Sequence, residues 1–179
     1  MKRLYLITIF LFIFSCTGYK VITIPNSGDY QNIHRMSGNF LPVNKKYLGT
    51  YGNFQISGEV RFNNDKNKKE YSLIVGGLIQ DGLNIKEGKS LLLNIDGENI
   101  EFIRRNKPYR VKKVKMNRQK YILELAWYDI SKEILNKISN AKNIEFTVYG
   151  KDKLIEGKFS RKNIENFSNF YSKYVHKNK

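Results

Sequence analysis

Nine cations fall between Arg104 and Lys120, and no Asp or Glu interrupts them. They are Arg104, Arg105, Lys107, Arg110, Lys112, Lys113, Lys115, Arg118 and Lys120. The whole chain carries +16, or +14 once Lys2 and Arg3 are removed with an N-terminal leader, so this one segment holds most of the excess. A field concentrated in this way attracts polyanions and speeds encounter, most strongly at low salt. Within it, Val111-Lys112-Lys113-Val114-Lys115-Met116 has the basic and apolar order of heparin-binding segments. Read as one extended strand, Arg110, Lys112, Arg118 and Lys120 point one way, and Lys113 and Lys115 the other. A central strand cannot bury so many charges, so the segment is expected at an edge or in a protruding hairpin. It then either binds an anionic partner or protects a sheet edge from pairing with other chains.

Other chemistry-bearing residues are sparse. The two histidines, His34 and His176, lie in a loosely patterned N-terminal stretch and close to the C-terminus. No His-x-x-His or Cys-x-x-Cys spacing suggests zinc. No Gly-x-Ser-x-Gly turn presents a serine nucleophile. Asp96, Glu98 and Glu101 cluster around a tight turn but lack the dense oxygen spacing of a calcium loop, and read as turn and strand-face residues. Gly76-Gly77 lacks the lysine and spacing of a phosphate loop. Asn166-Phe167-Ser168 matches a glycosylation triplet, yet Phe167 falls on the apolar face of an expected helix, which makes the match a coincidence. The chain is therefore expected to be neither an enzyme nor a holder of a metal or cofactor.

Cys16 is the single cysteine, and its surroundings give it a different role. Lys2 and Arg3 precede an apolar run from Leu4 to Phe14, and Ser15 follows as a small residue. Eleven residues make only about 16 Å of helix, short of a hydrocarbon core of about 30 Å. A charged start, a short apolar core and a small residue at the break describe an export signal. Ile13-Phe14-Ser15-Cys16 resembles the lipobox of bacterial lipoproteins, in the relaxed form found in spirochaetes. The resemblance implies removal of residues 1–15, acylation of Cys16 by palmitate-class fatty acids, and anchoring of the domain to a bacterial membrane. The outer membrane or cell surface is the expected site rather than the inner membrane. A two-chain anchor, at roughly 0.8 kcal/mol per buried methylene, holds a soluble domain stably. An uncleaved signal anchor from Leu4 to Tyr19 would also tether it.

The mature chain is long enough for one domain and has no disulfide to staple it, so the fold must rest on its core. Residues 16–46 read as lipidated cysteine and tether with limited order, although Tyr19 to Ile24 alternates enough for one strand. Residues 47–179 read as a single β-rich domain. Phe54 to Phe62 alternates with period two, Tyr71 to Ile79 returns as a more apolar strand, and Gly76-Gly77 within it suggests a bulge or a close backbone approach. Asp96-Gly97 between apolar runs marks a hairpin. Tyr121 to Tyr128 supplies another strand, and Ile144 to Tyr149 with Leu154 to Phe159 forms a further hairpin. Ser131 and Ser160 are expected N-caps of helices near 131–140 and 160–175. The second carries an apolar stripe of Ile164, Phe167, Phe170, Tyr171, Tyr174 and Val175. The expected class is mainly β (α+β), an antiparallel β-sandwich or open barrel with these two helices attached. The run from Leu91 to Phe102 and the path from Tyr121 to Phe159 resemble small exported bacterial domains of unknown function, which implies no site.

These readings make the expected protein a membrane-anchored binding domain. Its partner would be a glycosaminoglycan or other anionic polysaccharide, an acidic protein, or anionic lipid headgroups. A structural lipoprotein docking on another envelope protein is the alternative. A nucleic-acid partner fits the charge but conflicts with export, and Tyr109 and Tyr121 are too few for a stacking platform.

Overall fold

The computed structural model describes residues 18–176, except the side chains of Asn26, Ser27, Lys107 and Pro108. Cys16 and the leader lie outside the described residues. The alternating runs become nine strands, all paired antiparallel. In chain order they are β1 (Lys20–Ser27), β2 (Tyr30–Ser37), β3 (Asn53–Asn63), β4 (Lys68–Gln80), β5 (Gly88–Ile95), β6 (Glu98–Met116), β7 (Gln119–Ile130), β8 (Ile144–Tyr149) and β9 (Leu154–Lys158). The helices are α1 (Lys45–Leu48), α2 (Lys132–Asn140) and α3 (Arg161–Phe170), the last continued by a π-helical turn over Tyr171–His176. Among the described residues no helix is long and apolar enough to cross a membrane.

The strands form a single sheet in the order β1-β2-β3-β4-β7-β6-β5-β8-β9, with β1 and β9 at its ends. Phe54 on β3 and Phe146 on β8 nevertheless stack with ring centroids 5.8 Å apart. On a flat sheet their strands, five steps apart in that order, would be separated by about 24 Å. The sheet therefore curls over its own apolar face as an open barrel. Phe146, Phe159 and Phe167 continue the aromatic chain inward from Phe54.

Gly76-Gly77 shows what that curl requires. Both neighbouring ladders run through the pair without a register shift, so there is no bulge. A Cβ on Gly76, whose φ is +139°, would collide with the Glu124 carbonyl oxygen, and one on Gly77 would collide with that of Asn53. The close backbone approach is the reason for the two glycines.

The N-terminal boundary differs from expectation. Residues 20–37 are not a tether but the β1–β2 hairpin, joined to β3 through His34↔Val60 and its neighbours. β2 hides its burial from a periodicity search because it is covered on both faces. Met36 packs in the main core beside Gly58, whereas Ile33 is buried on the opposite side near Trp127. The domain thus includes the strands from Lys20 onward rather than only residues from 47.

Both long helices start where the serines predict. Ser131 Oγ accepts from the Ile134 amide, and Ser160 forms a reciprocal capping box with Asn163. On α3, Phe167 and Phe170 are fully buried, as is Val175 in the turn beyond. The helix is also fixed by amides: Asn163 and Asn166 both donate to Asn39 Oδ1, at 3.0 and 2.9 Å, and Asn39 Nδ2 donates to the Ile56 carbonyl at 2.9 Å. Asn166, with its side chain engaged in this buried contact, is inaccessible to a glycosyl transfer. Replacing Phe167 with Ala should cost about 3–5 kcal/mol, the usual range for emptying a buried aromatic site. Urea unfolding measures it, and a loss below about 1 kcal/mol would show that α3 is not part of the core.

Candidate functional site

The basic segment lies on β6, and β6 changes neighbours partway along. Its first part pairs with β5 as far as Gly88↔Arg104. Its second part pairs with β7, first at Arg104↔Tyr128 and then, after an irregularity, from Tyr109↔Ala126 to Met116↔Gln119. From Tyr109 onward β6 has a ladder on one side and, among the described residues, no strand on the other.

A set of buried polar contacts fixes this hand-over. The Arg104 side chain is only 4% exposed, lies over the Tyr109 ring at 4.3 Å, donates to the Lys86 carbonyl and pairs with Glu87. The Tyr109 hydroxyl donates to Glu124, whose carboxylate also accepts the backbone amides of Leu83, Asn84 and Ile85 at 2.7, 3.0 and 2.8 Å. Burial, reinforced by the carboxylate, pushes the Tyr109 hydroxyl well above its ordinary pKa, so it remains a donor. One carboxylate satisfying four donors ties β7, β6 and the 83–85 loop together.

The nine predicted cations accordingly separate into groups. Arg104 is structural and buried. Arg105 is half-buried and paired with Asp129 on β7. The Lys107 side chain lies outside the described ones. Arg110, Lys112, Lys113, Lys115, Arg118 and Lys120 are exposed, and none of the six has an ion-pair partner among the described residues. Arg110 extends over Trp127 on one face, 5.7 Å from the ring centroid. Arg118 occupies the turn with Asn117, their φ values of 65° and 45° being those of a type I′ turn. Lys120 stands directly opposite Lys115 and shares its face, not that of Arg110, because the chain reverses between them. Like charges placed opposite one another repel.

A second polar group was not visible in the sequence. On the outer face of the sheet, Arg35 pairs with Glu59 at 2.5 Å, Glu59 with Arg61 at 3.6 Å, and Arg61 with Glu70 at 3.6 Å. Arg61 also covers the Tyr30 ring. Arg35 and Arg110 both lie 5.7 Å from the centre of the buried Trp127 ring. Burial alone would raise the Glu70 pKa, but hydrogen bonds from Tyr30 and Lys66 and the charge of Arg61 outweigh it and hold it below its ordinary value. Glu59 and Arg61 occupy ordinary polar positions of the β3 alternation, and their burial comes from side chains of the neighbouring strands, Arg35 and Tyr30 on β2 and Glu70 on β4. A cleft of about 290 Å³ opens here between Tyr30, Arg35, Arg61, Arg110 and Trp127.

The acidic turn is fully used by structure. Asp96 accepts from the amides of Lys142 and Asn143, Glu98 pairs with Lys137, and Glu101 pairs with Lys89. Among the described residues no group of three or more His, Cys, Asp or Glu side chains is placed to hold a metal ion. No protein-family model, curated protein or solved structure matches the chain.

His34, expected in a loose tether, is instead on β2. Its Nδ1 is 3.0 Å from Thr23 Oγ1 and its ring 4.6 Å from that of Tyr174. Burial, with Lys69 nearby, lowers its pKa below the ordinary value of 6.5. The unfolded chain then takes up the proton first, so the contribution of His34 is complete above about pH 6.5 and is lost as pH falls through the folded value. The urea midpoint should therefore decrease between about pH 7.5 and 5.5. His34→Gln should flatten that slope. Glu70, held low, loses its contribution only at more acid pH. An unchanged slope in His34→Gln would remove this residue as the cause.

Proposed function

We propose that this chain is an exported, non-enzymatic lipoprotein, held on a bacterial membrane through acylated Cys16, whose β6–β7 hairpin binds an anionic partner. One observation carries the binding reading. Arg110, Lys112, Lys113, Lys115, Arg118 and Lys120 are exposed without ion-pair partners among the described residues, and Lys115 directly faces Lys120. A solubility device gains nothing from opposing like charges, whereas a bound anion relieves that repulsion. The export reading rests on the order Lys2-Arg3, Leu4 to Phe14, Ser15, Cys16. With its first described strand starting at Lys20, the domain would then sit near the membrane, with the outer membrane or cell surface as its place. The candidate partners share one chemistry: a sulfated polysaccharide, an acidic protein or anionic headgroups.

A second reading is favoured by the free edge itself. Cations on an unpaired strand discourage edge-to-edge association, and a structural lipoprotein docked on another envelope protein needs no more than that. Reversing Lys112, Lys113 and Lys115 to Glu makes the six-cation patch neutral and should change stability by no more than about 0.5 kcal/mol. Under the binding reading, wild type is retained on immobilised heparin in low salt and eluted as salt rises, and the triple variant passes through. Equal retention of the two at one salt concentration would leave edge protection as the role.

For the anchor, Cys16→Ala should abolish incorporation of labelled palmitate and move the protein from the membrane to the soluble fraction. Undiminished labelling in that variant would refute acylation at Cys16.

A further inference from the structure

We propose that the free edge of β6 is a strand-addition site for an extended acidic polypeptide. The proposal rests on the anionic-partner reading and narrows the partner to a peptide chain. Among the described residues the open sheet, with a strand that changes neighbours, leaves edges unpaired on β1, on β9 and on β6 beyond Arg104. The edge on β1 is interrupted by Pro25, and β9 has only five residues, including Gly157. From Tyr109 to Met116 the β6 edge contains neither Pro nor Gly. It is the edge with the fewest defences of the backbone kind.

The turn fixes which backbone groups face outward. In a two-residue type I′ hairpin the flanking pair, here Met116↔Gln119, exchanges hydrogen bonds, and the alternation runs from there. Met116, Val114, Lys112 and Arg110 thus direct their amides and carbonyls to β7. Lys115, Lys113 and Val111 direct theirs away from it, repeating about every 6.8 Å, the spacing that an added strand matches.

Side chains decide what kind of strand. Val111 is 52% exposed on this edge, an apolar contact without a cover among the described residues. Lys113 and Lys115 follow it on its own face, and Arg110 and Lys112 lie on the other. A second copy of this chain would bring six cations against six, so like-charge repulsion rejects it. An incoming strand with carboxylates along both faces and an apolar residue opposite Val111 satisfies the same charges. The lysines that exclude ordinary strands select an acidic one.

The test uses wild-type protein and an eight-residue peptide of glutamates with one central valine, which carries carboxylates on both faces as a strand, with an N-methylated version of equal charge that cannot donate alternate main-chain hydrogen bonds. Fluorescence anisotropy in low salt should show binding of the first and none of the second. Val111→Pro keeps every cation and removes one outward amide. It should weaken peptide binding by about fivefold or more, the size of a lost hydrogen bond, while leaving heparin retention unchanged. Reversing Lys112, Lys113 and Lys115 to Glu should abolish both. Equal binding of the two peptides would overturn strand addition and leave a general polyanion site. Undiminished heparin and peptide binding in the charge-reversed variant would overturn the anionic-partner reading as well. Salt-sensitive dimers in sedimentation, with no peptide binding, would make a second copy the occupant and refute the acidic partner.

Discussion

The hand-over on β6 is the constraint from which the rest of the molecule follows. Nineteen residues extend as one strand, yet no single neighbour accompanies them along their length. β5 leaves at Arg104 and the unbroken β7 ladder begins at Tyr109, so the sheet turns a corner there. Folding Arg104 inward over Tyr109, and aiming the Tyr109 hydroxyl at Glu124, turns that corner without leaving a buried charge unpaired. The irregularity in the β6–β7 ladder falls at the same place. So does the free edge, because β5 has left and nothing described replaces it.

Charge alone did not separate the cations that stabilise this corner from those that face solvent. Arg104 and Lys112 look equivalent in the sequence. The partners that distinguish Arg104, which are Glu87 and the Lys86 carbonyl, become its neighbours only when β6 is laid beside the 83–87 loop. Arg105 is equally indistinguishable until β7 delivers Asp129. The exposed remainder is nonetheless the part in which Lys and apolar residues alternate, and that alternation was legible.

Elements were readable wherever one local rule dominated. Phe54 to Phe62 alternates because one side faces the core. Asp96-Gly97 turns because both residues accept positive φ, as they do at 50° and 93°. Ser131 and Ser160 cap because their hydroxyls reach the first free amides. β2 obeys no such rule: Ile33 and Met36 are buried on opposite faces, so neither period two nor period 3.6 emerges. The Arg35–Glu59–Arg61–Glu70 chain was hidden for the same reason, since a buried ion pair on a sheet face has the sequence of a solvated one. The leader ending at Cys16 remains a reading of residue order alone.

The three-asparagine contact between Asn39 and α3 has a kinetic consequence. Asn39 is joined to partners 124 and 127 residues away, so the chain must be nearly complete before that contact closes. Closing so long a loop is entropically costly, and sheets built from distant pairings assemble slowly. Until then Phe167 and Phe170 are not held against Gly58 of β3. A chain emerging from its N-terminus thus passes through a state with aromatic surface exposed at its last-made end, the interval in which a chaperone or protease would meet it.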